Sequence, residues 1–404
     1  MSRPSGPYLF ILITLLIDAI GIGIVFPIMP DLMDKVGAGD LARASFWAGL
    51  MMAAYAGAQF VFAPIVGSIS DAYGRKPVLL AALAFLTLDY VIMALADTYW
   101  VLLLGRTLAG LAGATYVTAT AYIADITPKE ERAARFGMIG AAFGVGFVLG
   151  PAIGGLTAGW GVSAPFWVAA AIAGANVVFG LFVLPESLPA DKRRRFEVRD
   201  VNPFGIVGRA FRIPGLPVPL LASFVVECAN MVYVTLWAFW GREVFGWSTK
   251  IIGVSLSAYG VLIILSQAVV MPYAVAWLGE RKLTIYGLML AAVTLTGFGF
   301  TSAVWTLAIL LPMAALSDLV PPTLSAMAAN ATSDDSQGMV QGVISSLAAI
   351  AAVLSPLVYP PIFGVFVGED AALYLPGAPY VFAALLVLAA LVLVLRQRPV
   401  GDAR

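Results

Sequence analysis

Five ionisable residues stand inside apolar stretches of this chain: Asp18 in IDAIGIGIVFPIMP, Asp89 in TLDYVIM, Arg106 in LLGRTLAG, then Glu227 and Asp318. A charge in hydrocarbon is costly and is retained where it faces a bundle interior with a partner. Asp318 lies near the middle of its stretch, beside Pro321-Pro322, where an ionised Asp costs about 2.5–3.5 kcal/mol on the insertion scale. Carboxyls so placed suit the loading and release of protons. The sequence has no His and a single Cys, Cys228, which excludes a His proton relay, a disulfide framework and a Cys/His metal site. It also lacks a P-loop, a metal-ligand constellation and a nucleophile motif, so neither an enzyme nor ATP coupling is expected.

The elements that must hold these residues are membrane helices. The chain has 404 residues, 61% hydrophobic and only 11% charged, with mean hydropathy +0.94; soluble domains carry about 25% charged residues. Lys+Arg and Asp+Glu balance at 23 each, which leaves no polybasic surface for nucleic acid. At ~20 residues per span, twelve apolar segments are predicted at 8–30, 46–66, 77–96, 99–123, 135–158, 164–184, 216–240, 249–274, 283–302, 304–328, 338–362 and 376–396. The first is too long for a signal peptide, contains Asp18 and lacks a small-residue cleavage site, so it is read as a retained span.

With both termini inside, 18 of the 23 Lys and Arg fall on the cytoplasmic side. They run from Arg3 through Lys129, Lys192, Arg193, Arg194, Arg195, Arg199 and Arg209 to Arg398 and Arg404. Only Lys35, Arg43, Arg242 and Lys250 fall outside. That bias fixes the expected orientation. The longest polar interruption, 185–215, contains PESLPADKRRRFEVRD and divides a first half, 1–184, from a second, 216–404. Its KRRR cluster reads as an anionic-lipid or topology anchor.

The halves repeat. Adding 205 takes Gly137 to Gly342, Pro151 to Pro356, Asp125 to Asn330 and Gly74 to Gly279. The expected fold is therefore all-α, with twelve transmembrane helices in two pseudo-symmetric six-helix halves. Such parallel repeats place a substrate site at the repeat interface, near mid-membrane.

Two motifs are specific. Between spans two and three, GSISDAYGRKP places Gly67, Asp71, Gly74, Arg75 and Lys76 in a G-x-x-x-D-x-x-G-R-K spacing. Gly permits a tight reversal with positive φ, the cations hold that end inside, and the Asp can sit against the positive N-terminus of a neighbouring helix. In span five, Gly146, Gly150, Pro151, Gly154 and Gly155 form G-x-x-x-G-P-x-x-G-G. Small residues four apart let a neighbouring helix approach closely, and the Pro bends the span and frees a carbonyl.

The first motif resembles the signature loop of the major facilitator superfamily of secondary transporters, and the second the motif of its antiporter branch. With Asp18, the LDY of span three, Arg106 and the IAD that ends at Asp125, the first half closely resembles the tetracycline/proton antiporter family. The likeness re-emerges at Phe245–Trp247, Gln267 and Gln341-Gly342. The resemblance links the span-four Arg to proton coupling, puts Asp71 and Arg75 in a cytoplasmic gate, and makes Asp125 the partner of Arg75. The chain departs from that family by having no acid in span nine and no His in span eight. Asp318, with Glu227, is assigned the missing acid's role.

Tyr55, Gln59, Tyr116, Asn230, Tyr233, Trp237, Tyr259 and Gln267 could line a central cavity. A mostly apolar pocket with a few placed polar groups suits a bulky amphipathic ligand. The expected function is proton-coupled efflux of amphipathic small molecules by alternating access, and the resemblance suggests tetracycline as the first of them. The proton gradient supplies the energy with no cofactor, and the protein works as a monomer in a bacterial inner membrane. The alternatives are a facilitator or proton symporter of a small metabolite, which the span-five motif disfavours, and a non-transporting receptor or scaffold, which gives the buried charges no purpose.

Overall fold

The structure is a computed structural model that describes residues 6–112, 115–128, 131–193, 208, 210–332, 337–368 and 371–397. Arg3, Lys129, Arg194, Arg195, Arg199, Arg209, Arg398 and Arg404, and with them much of the expected linker, lie outside the described residues.

Among the described residues the regular structure is helical, without strands. Eleven apolar helical stretches are long enough to cross a membrane. One of them, Thr249–Phe300, has 52 residues, far beyond the ~20 a bilayer requires. It is broken at Gly279, where φ is 71° and ψ 163°, and the break separates spans eight and nine. Counted this way, the stretches amount to the twelve expected spans. The five-residue π-turn Ser266–Val270 inserts one wider turn into span eight.

Several spans overrun their hydropathy bounds. Span two runs over Leu41–Tyr73, 33 residues, or ~50 Å at 1.5 Å per residue, so its ends stand clear of a ~30 Å hydrocarbon layer. The expected loop 67–77 is consequently almost absent. Helix continues to Tyr73 and resumes at Arg75, with only Gly74 between them at φ 108°. That φ is open to glycine at little cost and strained for other residues. Span four is built from Tyr99–Ala112 and Thr115–Ile126, and span ten from Leu307–Ser317 and Val320–Asn330. In span ten, Pro321 and Pro322 offer no N–H to the preceding turn, which ends the helix at Ser317 and leaves Asp318 in the break.

The Cα packing forms two compact units. The first comprises 1–39, 54–201 and 248–257; the second comprises 40–53, 202–247 and 258–404. Each unit thus includes a short helical segment from the other half of the sequence. In the first, Ile11, Leu15, Leu79, Leu83, Ala119, Tyr122 and Ile123 pack with Ile139. In the second, Leu216, Leu220, Ala328, Val340, Val343 and Leu347 pack with the partly buried Ile344. Adding 205 to Ile11, Leu15, Ile123 and Ile139 gives Leu216, Leu220, Ala328 and Ile344. The sequence repeat is therefore also a repeat of core positions, made by the same apolar faces. Large side chains such as Phe182, Trp277 and Trp160 point outward, 85%, 90% and 78% exposed, as expected of helices whose solvent is lipid.

Candidate functional site

In the first unit the predicted charges converge. Arg106 on span four pairs with Asp89 on span three, and both are buried. The guanidinium carbon of Arg106 lies 5.2 Å from the centre of the Tyr55 ring, a distance at which the ring face attracts a cation. Asp18 on span one is buried within electrostatic reach of Arg106. Tyr90, one residue after Asp89, places its buried hydroxyl against Gly21, where any Cβ would overlap it. Gly105 likewise leaves room for Asp89, since a Cβ there would stand 3.0 Å from Oδ1. Oδ1 of Asp89, Nε of Arg106 and the Tyr90 hydroxyl have no protein partner among the described residues. The cluster therefore keeps hydrogen-bonding capacity after its ion pair is made. A buried pair attracts strongly, but desolvation offsets most of that gain, so the pair poises charge more than it stabilises the fold.

The second unit has its own acid centre. Asp318, in the break of span ten, accepts a hydrogen bond from the Tyr259 hydroxyl at 2.6 Å on one oxygen and from Asn230 Nδ2 at 3.4 Å on the other. The Tyr233 ring lies beside that of Tyr259, tilted by 41° with ring centres 5.6 Å apart. From Tyr233 an aromatic series continues through Trp237, Trp240 and Trp247, joined by Phe298 and Tyr380. Three of the predicted cavity residues, Asn230, Tyr233 and Tyr259, thus gather at Asp318, and Trp237 follows Tyr233 in the aromatic series. Glu227 is one turn from Asn230 and lines a separate small cavity. The remaining cavity candidates stand elsewhere. Gln59 is partly buried on span two, while Tyr116 is 43% exposed and edge-on to Phe143 at 5.9 Å. Gln267 is exposed in the π-turn of span eight.

The two centres are not repeats of each other. The positions 205 after Asp18, Asp89 and Arg106 are Ser223, Thr294 and Leu311. Each centre has its ionisable groups where the other half has neutral residues.

The signature motif forms an ionic knot. Nη1 of Arg75 lies 2.6 Å from Asp71, and its Nε lies 3.2 Å from Asp125; Nη1 also donates to Ser70 Oγ at 2.9 Å. Ser187 Oγ donates to the same Asp125 oxygen at 3.1 Å. Lys76 Nζ donates to the Leu181 carbonyl at 3.2 Å, and a Cβ on Gly67 would meet Val117 at an ordinary 3.6 Å. The acid at the start of span three is not Asp71. It is Glu186, just past span six, whose two oxygens accept the backbone N–H groups of Arg75 at 2.9 Å and Lys76 at 3.2 Å. A carboxylate there satisfies N–H groups the helix leaves free and meets the positive end of its dipole.

The span-five glycines have two faces. A Cβ on Gly146, Gly150 or Gly154 would come within 2.6 Å of the Leu16, Ile20 or Ile24 carbonyl of span one, respectively. Gly155 faces Thr249 and Gly253 instead, at 2.9 and 3.1 Å. Ser257 Oγ donates to the Val148 carbonyl at 2.6 Å, and Thr249 donates to Asp31. Pro151 lies between these faces, near Gly23 on one side and Gly253 on the other.

Comparison with known proteins is decisive for the family. The sequence model described as Major Facilitator Superfamily matches residues 11–356. The chain belongs to the major facilitator superfamily. It is 36% identical over 361 residues to the class C tetracycline resistance protein of Escherichia coli, covering 89% of this chain and 90% of that one. It is 31% identical to the class H tetracycline resistance protein of Pasteurella multocida, covering 94% and 95%. Its fold matches the crystal structure of the human organic anion transporter MFSD10 (TETRAN) with a TM-score of 0.71 at 22% identity, covering 98% and 100%.

Within this facilitator-superfamily chain, sequence reasoning overlooked Glu186, Ser187, Ser70, Tyr90, Ser223 and Ser325. The available signal for Glu186 was its place: an acid immediately after span six, on the side where span three begins. Tyr90 could have been found as the neighbour of a membrane-embedded Asp.

Proposed function

We propose that the protein is a proton-coupled efflux antiporter for amphipathic small molecules, with tetracycline as the first substrate to test. The observation that carries this reading is the buried Asp89–Arg106 pair with Asp18 beside it, in a chain that aligns over most of its length with tetracycline resistance proteins. Asp318 with Tyr259 and Asn230 supplies a second acid, in place of the absent span-nine carboxyl. Proton and drug compete because a neutral acid and a bound ligand each relieve buried charge. The halves alternate access by exchanging which end of the bundle is open.

In this reading the knot at Arg75, with Asp71, Asp125, Gly74, Gly67 and Lys76, is the cytoplasmic gate. The bias of Lys and Arg supports cytoplasmic termini in a bacterial inner membrane. The partners are the transported molecule, protons and lipid; the protein acts as a monomer, and the proton gradient is the energy source without a cofactor.

The test is tetracycline-driven proton movement in proteoliposomes, wild type beside Asp318→Asn. Counterflow in the wild type and its loss in the variant are expected. Intact coupling in Asp318→Asn would remove Asp318 from the mechanism, and tetracycline movement indifferent to the pH gradient would make the protein a facilitator.

A further inference from the structure

Glu227 lines a small, partly open cavity of about 40 Å³ in the second unit, between spans seven, ten and eleven, together with Ser223, Pro321, Ser325, Ile344 and Leu347. Ser223 and Glu227 are four residues apart on span seven, and Pro321 and Ser325 are four apart on span ten, so each pair shares a helix face. Span eleven contributes the apolar wall. The volume exceeds the roughly 10–15 Å³ that one water needs, and the side-chain oxygens of Ser223, Glu227 and Ser325 provide the polar partners a buried water requires.

Two further observations point to an occupant. The Ser223 hydroxyl is buried without a protein partner among the described residues. A helical serine can bond back to the carbonyl one turn earlier, as Ser346 does to Gly342 at 2.9 Å; Ser223 leaves that bond unmade. Ser223 also stands 205 residues after Asp18, the offset that superposes the two cores. The cavity is therefore at the repeat position where the first unit holds an acid.

The cavity is next to the acid centre. Glu227 is one turn before Asn230, the donor to Asp318, and is within electrostatic reach of Asp318. Span seven starts at Pro217, so Glu227 lies about 4.5 Å nearer that end than Asn230 does. Among the described residues, the other titratable groups within electrostatic reach of Glu227 are Cys228 and Asp318, with the Tyr359 hydroxyl donating to the Cys228 carbonyl at 2.7 Å. No Lys or Arg is among the lining residues.

We propose that this cavity holds water bonded to Ser223, Glu227 and Ser325, and that Glu227 with this water relays protons between Asp318 and the end of the second unit where span seven begins. The relay rests on the antiport reading above. Water gives a proton to the Glu227 carboxylate and is reprotonated from solvent. Glu227 then gives its proton to the Asp318 carboxylate. Each transfer breaks one O–H bond and forms another, without a redox partner. A metal cation is the competing occupant, but three side-chain groups fall short of the six or more oxygens a hard cation takes.

The first measurement is infrared difference spectroscopy of the full chain in lipid, recorded between high and low pH in H2O and D2O. A carboxylic-acid C=O band should disappear in Glu227→Gln, and its hydrogen–deuterium exchange should slow about tenfold or more in Ser325→Val, which fills the cavity. A Glu227 band that exchanges equally fast in Ser325→Val overturns the relay, whatever the protein transports. The second is pH-gradient-driven tetracycline uptake into everted vesicles, expected to fall about a hundredfold in Glu227→Gln and about tenfold in Ser325→Val. Wild-type rates in both variants overturn the relay, as does uptake that requires Na⁺ when choline replaces it. A wild type that moves tetracycline independently of the pH gradient overturns antiport itself and is recognised separately from the spectra.

Discussion

Asn330 donates to Glu280 across 2.8 Å, at the repeat positions that Asp125 and Arg75 occupy in the first half, where the contact is an ion pair at 3.2 Å. The scaffold contact has been kept while its charge has been rewritten. Gly74 and Gly279, which precede Arg75 and Glu280, are likewise both at positive φ, 108° and 71°.

This asymmetry predicts unequal effects. A double-mutant cycle on Arg75→Ala and Asp125→Ala, read by thermal unfolding in detergent, should give a coupling of about 1 kcal/mol, since the pair is only partly exposed. The same cycle on Glu280 and Asn330 should give about 0.5 kcal/mol, because one partner is neutral. Equal couplings would show that charge adds nothing to the first knot.

Removing one member of the buried pair should be severe. Arg106→Leu should destabilise by about 3–5 kcal/mol because Asp89 is left unpaired in hydrocarbon. The double variant Asp89→Thr with Arg106→Leu introduces the residues found at the repeat positions Thr294 and Leu311. It should recover most of that stability and still fail to couple tetracycline movement to protons. A double variant as unstable as the single one would argue against compensation.

The glycine faces of span five should respond differently. Gly150→Ala drives a methyl into the Ile20 carbonyl and Gly23 of span one, at 2.6 and 2.8 Å, with an expected loss of about 1–3 kcal/mol. At Gly144 a Cβ meets nothing within 4 Å. Gly144→Ala should be neutral or stabilise by up to about 1 kcal/mol through helix propensity. Unfolding midpoints of the two variants side by side provide the check.

Glu186→Ala should remove the carboxylate from the start of span three and lower stability by about 0.5–2 kcal/mol. Glu186→Gln keeps one acceptor oxygen and should lose less. Hydrogen exchange at the Arg75 and Lys76 amides would report the loss directly, and unchanged protection would refute the cap.

Much of this architecture was legible because membrane helices announce themselves by length and apolarity, because Gly74 is demanded by its positive φ, and because Gly146, Gly150 and Gly154 are demanded by the close approach of span one. Span ends were less so. Tyr73 and Leu41 lie outside the hydrophobic window of span two, yet the helix carries on through them, since hydropathy registers hydrocarbon and not helix. The acids at 18, 89 and 318 stood out against their apolar surroundings. Their partners did not: Tyr259 and Asn230 were two names among several polar and aromatic residues, and the register that turns both toward Asp318 is set by packing between spans distant in sequence. Glu186 lies over a hundred residues from the amides it receives, in a stretch whose charge reads as linker. Ser223 and Ser325 are ordinary serines until the cavity between them is seen.

The aromatic series that starts at Tyr259 has an optical consequence. Trp240 and Trp247 stand 5.3 and 6.1 Å from Trp237, so an excitation absorbed by one indole is shared among the three, and tyrosine excitation drains into them. Tyr259, which also holds the Asp318 carboxylate, feeds that set through Tyr233. Three of the nine tryptophans thus form an antenna with one edge resting on Asp318, and a pH-dependent change in their ultraviolet emission, lost in Asp318→Asn, is the expected label-free sign of that carboxyl changing its charge.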